Sequence, residues 1–123
     1  MISMEDILAF SETTHDAKKP LTFDSYQVKA ALTAIYPLTT AVLYPALGLA
    51  GEAGEVANKV KKIIRDGTFD RAGIAAEMGD CLWYLALLAR DLNLDLSDIA
   101  RENLNKLERR KAEGKLKGSG DDR

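Results

Sequence analysis

Glu52, Glu55, Glu77 and Asp80 stand in two pairs, each spaced three residues apart, inside otherwise apolar stretches of a 123-residue chain. On a helix that spacing puts both members of a pair on one face, about one turn apart. Carboxylates gathered in this way repel one another and resist leaving water, so they either protonate or recruit cations. A ligand set made of oxygen alone suits hard ions, Mg²⁺ first and Mn²⁺ or Ca²⁺ next. The plainer alternative is four solvated acids on exposed stripes. Against it stands the run of apolar residues 81–89, which directly abuts the second pair and makes simple exposure costly.

Two helices must carry these pairs. In residues 47–64, Leu49, Ala53, Val56, Val60 and Ile63 recur at three- and four-residue steps, the signature of an amphipathic helix whose polar stripe holds Glu52, Glu55, Lys59 and Lys62. A second helical pattern begins near Asp70 and runs through residues 74–89. Between them Gly67 suits the end of the first helix, and Thr68 or Asp70 suits the cap of the next. At a rise of ~1.5 Å per residue the chain climbs about 15 Å from Glu55 to Arg65 and descends about as far from Asp70 to Asp80. The two pairs are therefore expected to face each other across a helical hairpin.

The strings Leu47-Gly-Leu-Ala-Gly-Glu52-Ala-Gly-Glu55-Val56 and Glu77-Met-Gly-Asp80-Cys-Leu-Trp-Tyr-Leu85 resemble the ExxE and ExxD signature of the MazG-like, all-α nucleoside triphosphate pyrophosphohydrolases. Later in the chain, Asn103-Leu-Asn-Lys106-Leu-Glu-Arg-Arg110 resembles that family's NxxKLxxR helix. The resemblance covers residues 23–123. It implies Mg²⁺-dependent hydrolysis of nucleoside triphosphates to monophosphate and pyrophosphate, with Glu52, Glu55, Glu77 and Asp80 as metal ligands, Lys106 and Arg110 as phosphate ligands, and a dimeric assembly. Some members double the first glutamate; here that neighbour is Gly51, so the site has one acid fewer.

Size and charge narrow the rest. The chain suits one compact domain, with residues 1–22 as a lead-in, 23–113 as the helical domain and 114–123 as a Gly-rich tail that composition marks as disordered, although residues 118–123 also resemble a tail found in a subset of the family. A formal net charge of −2 and a pI near 5.4 give no basic field for a nucleic acid polymer, so a phosphate ligand must be held locally. The one cysteine, Cys81, reads as a small core residue and fits a reducing compartment. Acids at positions 5 and 6 speak against a signal peptide, and with no evident membrane span the expected place is the cytoplasm. His15 is the only histidine and lies among polar residues, which disfavours zinc hydrolases and di-iron bundles.

The remaining elements supply the walls. A helix from Phe23, capped by Thr22 or Asp24, is expected to run past Ile35 and end at Pro37; a connector to Pro45 then carries Tyr36 and Tyr44. Tyr36, Tyr44 and Trp83, with Asn103, are the groups that could contact a base, although such tyrosines more often pack with the hydroxyl in water. Lys59 and Lys62 could grip phosphate or merely balance Glu55. A last helix, capped by Ser97, ends in Lys106, Arg109, Arg110 and Lys111, which suit a solvated, dipole-friendly helix end, against the phosphate role that the resemblance implies for Lys106 and Arg110, one turn apart on one face. Residues 81–89 are apolar all round, so a homo-oligomer, a dimer or a dimer of dimers, is expected to cover them.

The expected fold is all-α, a four-helix-bundle-like MazG-type arrangement with a helical-hairpin acidic site completed by dimerisation. The expected activity is attack of water on the α-phosphorus of a nucleoside triphosphate, with Glu52 or Glu55 as the base. Two rivals stand beside it: a hydrolase restricted to pyrimidines (dUTP/dUDP or dCTP) on the same scaffold, and a non-catalytic helical protein that binds metal or a partner.

Overall fold

The computed structural model describes residues 20–120 and is all helical over that span. Most of the lead-in, including residues 4–10 and His15, lies outside the described residues, as do residues 121–123. Helix α1 spans Phe23–Ala31, α2 Leu43–Asp66, α3 Arg71–Asp91 and α4 Leu96–Ala112, with a 3-10 turn at Leu38–Thr40 before α2.

Local chemistry sets the helix ends. Thr22 and Ser25 form a reciprocal capping box at the start of α1, each hydroxyl accepting the other's backbone N–H at 3.0 Å. The helix stops at Ala31, short of the expected Pro37, because the Thr33 hydroxyl donates to the Ala30 carbonyl at 2.8 Å and competes with the helical ladder. Helix α2 starts earlier than the periodicity suggested, at Leu43. Pro45 is tolerated in its first turn because the N–H it lacks has no partner there anyway. Gly67 ends α2 in the left-handed region at φ 69°, and the Asp70 carboxylate caps α3 by accepting the Gly73 N–H at 2.9 Å.

Helix α3 is the hub: α2 lies along one side of it, α1 and α4 along another. The core gathers Ala30 of α1, Ala86 and Leu87 of α3 and Leu96 of α4, with Leu82, Trp83 and Tyr26 packed against it. Leu87 is wholly enclosed. Within residues 81–89 the single chain buries Ala86, Leu87 and Ala89, leaves Leu85 exposed and half-buries the rest. An 18-residue window of α3 reaches a mean hydropathy of 1.3, enough in length and composition for a membrane span, because alanines and leucines surround its two acids. Those acids, Glu77 and Asp80, lie mid-helix where α2 packs.

A buried glutamine replaces the expected Ser97 cap at the start of α4. The Gln27 side chain donates to the Leu94 carbonyl at 2.8 Å and accepts the Leu96 N–H at 2.8 Å, so the first amide of α4 is satisfied from α1 rather than from its own turn. Each backbone group left without a partner in that position costs about 1–3 kcal/mol. Gln27→Leu, which keeps the volume and removes both bonds, is expected to lower unfolding free energy in urea by roughly 2–4 kcal/mol; a change under ~0.5 kcal/mol would mean that the glutamine does not hold the α3–α4 turn.

Candidate active site

Along α2, Pro45, Leu49, Glu52, Val56, Lys59 and Ile63 are buried or half-buried at alternating steps of four and three; along α3, Ile74, Glu77, Cys81, Tyr84, Leu88 and Asp91 do the same. These are the two sides of an antiparallel seam, and Glu52, Lys59 and Glu77 occupy positions in it that a packing helix would ordinarily give to apolar side chains. The acidic stripe read from the sequence is therefore split. Glu52 and Lys59 lie in the seam, while Glu55 and Lys62 lie beside it and are exposed.

Glu52, Glu77 and Asp80 each offer a carboxylate oxygen within 4.8 Å of the others. Glu55 is not part of that group, though its charge is felt at Glu52. Desolvation, then the charges of Asp80 and Glu77, push the Glu52 carboxyl above its ordinary value. Lys59 partly offsets the acids: its ammonium lies 3.7 Å from Glu77 Oε1 and 3.4 Å from Asp70 Oδ2. A backbone hydrogen bond from Gly73, helped by Lys59, holds Asp70 below the usual carboxylate range. Three hard oxygen donors in so small a compass, with one proton affinity raised by crowding, fit a divalent cation and give no soft or imidazole ligand.

An aromatic row adjoins the acids. Tyr84 packs against the backbone of α2 at Gly48, where a Cβ would collide with the edge of its ring, so glycine permits this approach. Burial, then the neighbouring Tyr44 and Glu52, raise the pKa of the Tyr84 hydroxyl. Tyr44 lies 6.3 Å from Tyr84, centroid to centroid, and stacks on Tyr36 at 4.6 Å with an interplanar angle of 18°. Tyr36 also has the Arg90 guanidinium 5.5 Å from its ring centre, leaving it little face for a base. Tyr44, 46% exposed, retains one. Trp83 is turned to the segment just after α1, its indole N–H donating to the Thr33 hydroxyl at 2.7 Å.

The row is tied down at the end of α3. Asp91 Oδ2 accepts from the Tyr36 hydroxyl at 2.7 Å and from the Val42 N–H at 3.0 Å; its Oδ1 accepts from the Arg90 guanidinium at 2.8 and 3.0 Å. Burial works to raise the Asp91 pKa, but these bonds outweigh it and hold the carboxyl below 3.8. Desolvation and the bond to Asp91 push the Tyr36 phenol up to about 12. Val42 has φ 69° and ψ −51°, with the Leu43 N–H reaching the Ala41 carbonyl at 2.8 Å, a γ-turn that costs a β-branched residue on the order of 1–3 kcal/mol.

The cations of α4 line a different place. An open groove of 840 Å³ is walled by α4 and the turn before it, Asn103 and Lys106 among its lining with Asp98, Glu102 and Arg109, and no residue of α2 or of the acid group faces it. Arg110 is buried. Sequence reading nominated neither Tyr84 nor Asp91, yet the signal was present: both continue the seam spacing of Glu77 by sevens.

The profile of the MazG nucleotide pyrophosphohydrolase domain matches residues 43–114, a span that takes in the acids of α2 and α3, the seam and α4. "Gene 37 protein" of Mycobacterium phage L5 is 48% identical over 111 residues, covering 81% of this chain and 97% of the phage protein. No solved structure matches the chain. With the hairpin, its acids and the last helix all inside the matched span, the chain belongs to the MazG nucleotide pyrophosphohydrolase family.

Proposed function

We propose that the protein hydrolyses nucleoside or deoxynucleoside triphosphates to monophosphate and pyrophosphate, with Mg²⁺ as cofactor and water attacking the α-phosphorus. The convergence of Glu52, Glu77 and Asp80 within 4.8 Å carries this reading, and membership of a nucleotide pyrophosphohydrolase family supports it. Glu52, Glu77 and Asp80, with Glu55 completing the set from the rim, would hold the ion. When bound, Mg²⁺ (or Mn²⁺ in its place) offsets phosphate charge and acidifies the attacking water.

This chain's own groups would do the rest. Glu55, exposed beside the triad, is the carboxylate best able to take the proton from water, and Glu52 is its alternative. Lys59 keeps the acids from repelling one another before the nucleotide arrives and, with Lys62, is assigned to phosphate; Lys106, whose groove faces away from the acids of its own chain, and Arg110 beside it would reach that phosphate only from the α4 of a second copy. Tyr44 offers its free face to the base. A second copy of the chain would cover apolar residues left on the outer sides of the hairpin, such as Leu47 at 74% exposed and Ile64 at 87%. A soluble nucleotide as substrate suits a cytoplasmic protein that engages neither membrane nor nucleic acid polymer.

Pyrophosphate release from a panel of the common ribo- and deoxynucleoside triphosphates, with and without Mg²⁺, tests the activity directly; no release from any would end it. Glu55→Gln is expected to cut kcat by roughly 10²- to 10⁴-fold, and Asp80→Asn to abolish Mg²⁺-dependent turnover, each with the helical circular dichroism retained. Lys106→Ala should lower kcat/KM by about ten- to a hundredfold. It is a cleaner probe than Arg110→Ala, since Arg110 is buried and its loss would also be felt by the fold.

The acids predict a stability signature as well. Because the Glu52 pKa is raised in the folded state, its contribution to stability is fully present below about 4.5 and is lost as pH rises through the raised value. Metal-free Glu52→Gln is therefore expected to melt higher than the parent at pH 7, the difference shrinking below pH 4.5, while added Mg²⁺ raises the melting temperature of the parent alone. A parent that melts higher than the variant at pH 7 without metal would show that the acids do not repel.

A further inference from the structure

A valine is an uncommon choice for a γ-turn with positive φ, and the local bond from the Leu43 N–H to the Ala41 carbonyl closes the turn without removing the strain at the β-branched residue. What holds Val42 there is a single carboxylate oxygen: Asp91 Oδ2 takes the Val42 N–H and, from the other side of the connector, the Tyr36 hydroxyl. The Asp91 side chain is only 3% exposed. Its second oxygen is occupied by Arg90, whose Nη2 also donates to the Tyr36 hydroxyl at 2.8 Å, so the four groups close into one network.

We propose that Asp91 is a positioning residue for the nucleoside end of the substrate: by gripping Val42 and Tyr36 it fixes the start of α2 and, with it, the ring of Tyr44. This rests on the nucleotide reading of the acid site. Tyr44 is the second residue of α2 and is stacked on Tyr36, so both of its supports, helix start and ring partner, hang from the same carboxylate. The catalytic acids do not depend on the clasp in this way. Glu52 follows two helical turns later and is held by the seam with α3, as Glu77 and Asp80 are held by α3 itself. Loosening the clasp should therefore disturb the grip on the base and leave the chemistry at the α-phosphorus in place.

Steady-state kinetics of Asp91→Asn and Tyr36→Phe, on deoxynucleoside triphosphates and on base-free deoxyribose 5′-triphosphate, separate these ends. Both variants are expected to raise KM for the nucleotides roughly five- to tenfold, toward the lower end of what a base–aromatic stack is worth, with kcat within about twofold. KM for the base-free compound should not move. Equal rises for both kinds of substrate, or no rise for either, overturn the proposal and leave Asp91 a purely structural residue, whatever the melting temperature does. Should Asp91→Asn fail to fold by circular dichroism, Tyr36→Phe decides alone, because it removes one hydroxyl and keeps the ring. Equilibrium binding of a non-hydrolysable α,β-methylene nucleotide with Mg²⁺ distinguishes the two readings: a parent that binds it without hydrolysing any triphosphate, with binding weakened in Asp91→Asn, sinks the hydrolase reading and supports the clasp. A parent that binds no nucleotide overturns both.

Discussion

Like charges placed in a packing seam set the terms for the rest of this molecule. Glu52 and Glu77 take positions between α2 and α3 that helix packing would fill with leucine, and Asp80 joins them from the next turn. A hairpin so built cannot gain its full stability from apolar burial, because part of its contact surface must stay wet or paired. The protein meets that demand with Lys59 inside the seam, with glycine at 48 so that Tyr84 can cover the flank, and with well-made ends at Gly67 and Asp70. Such a compromise is expected where function, not stability, chose the residues.

The other side of α3 follows ordinary rules. Ala86, Leu87 and Ala89 are buried, Leu96 and Ala30 close over the same core, and Gln27 bonds the start of α4, which has no side-chain cap of its own. The helix is thus divided along its length into a structural flank and a chemical flank. Asp91 lies where the two meet, as the last seam position and the last residue of α3.

Much of this was legible in the sequence, and the failures have physical causes. The hairpin, its glycine stop, the Asp70 cap and the meeting of the acidic motifs follow from local periodicity and helix rise, which need no tertiary information. What periodicity could not settle was which side of Glu52 faces inward: Glu55 and Lys62 share its polar character, and only packing against α3 separates seam from rim. The end of α1 and the start of α4 were misplaced because a threonine side chain and a distant glutamine, rather than Pro37 and Ser97, satisfy the backbone there. Tyr36 reads as a free aromatic in sequence, but its ring is engaged by Tyr44 and Arg90, a pairing across more than fifty residues in the second case.

Helix α2 leans chiefly on α3, whereas α1, α3 and α4 share the enclosed core. A chain built this way has a natural cleavage plane for partial opening: α2 can lift as one cooperative arm while the other three helices stay together. Glu52 rides on the arm, and Glu77 and Asp80 stay behind on the base. A cation that bridged them would act as a fastener across that plane, so occupancy of the site and opening of α2 would be one equilibrium seen from two ends, and amide exchange along α2 would read out the ligand without touching it.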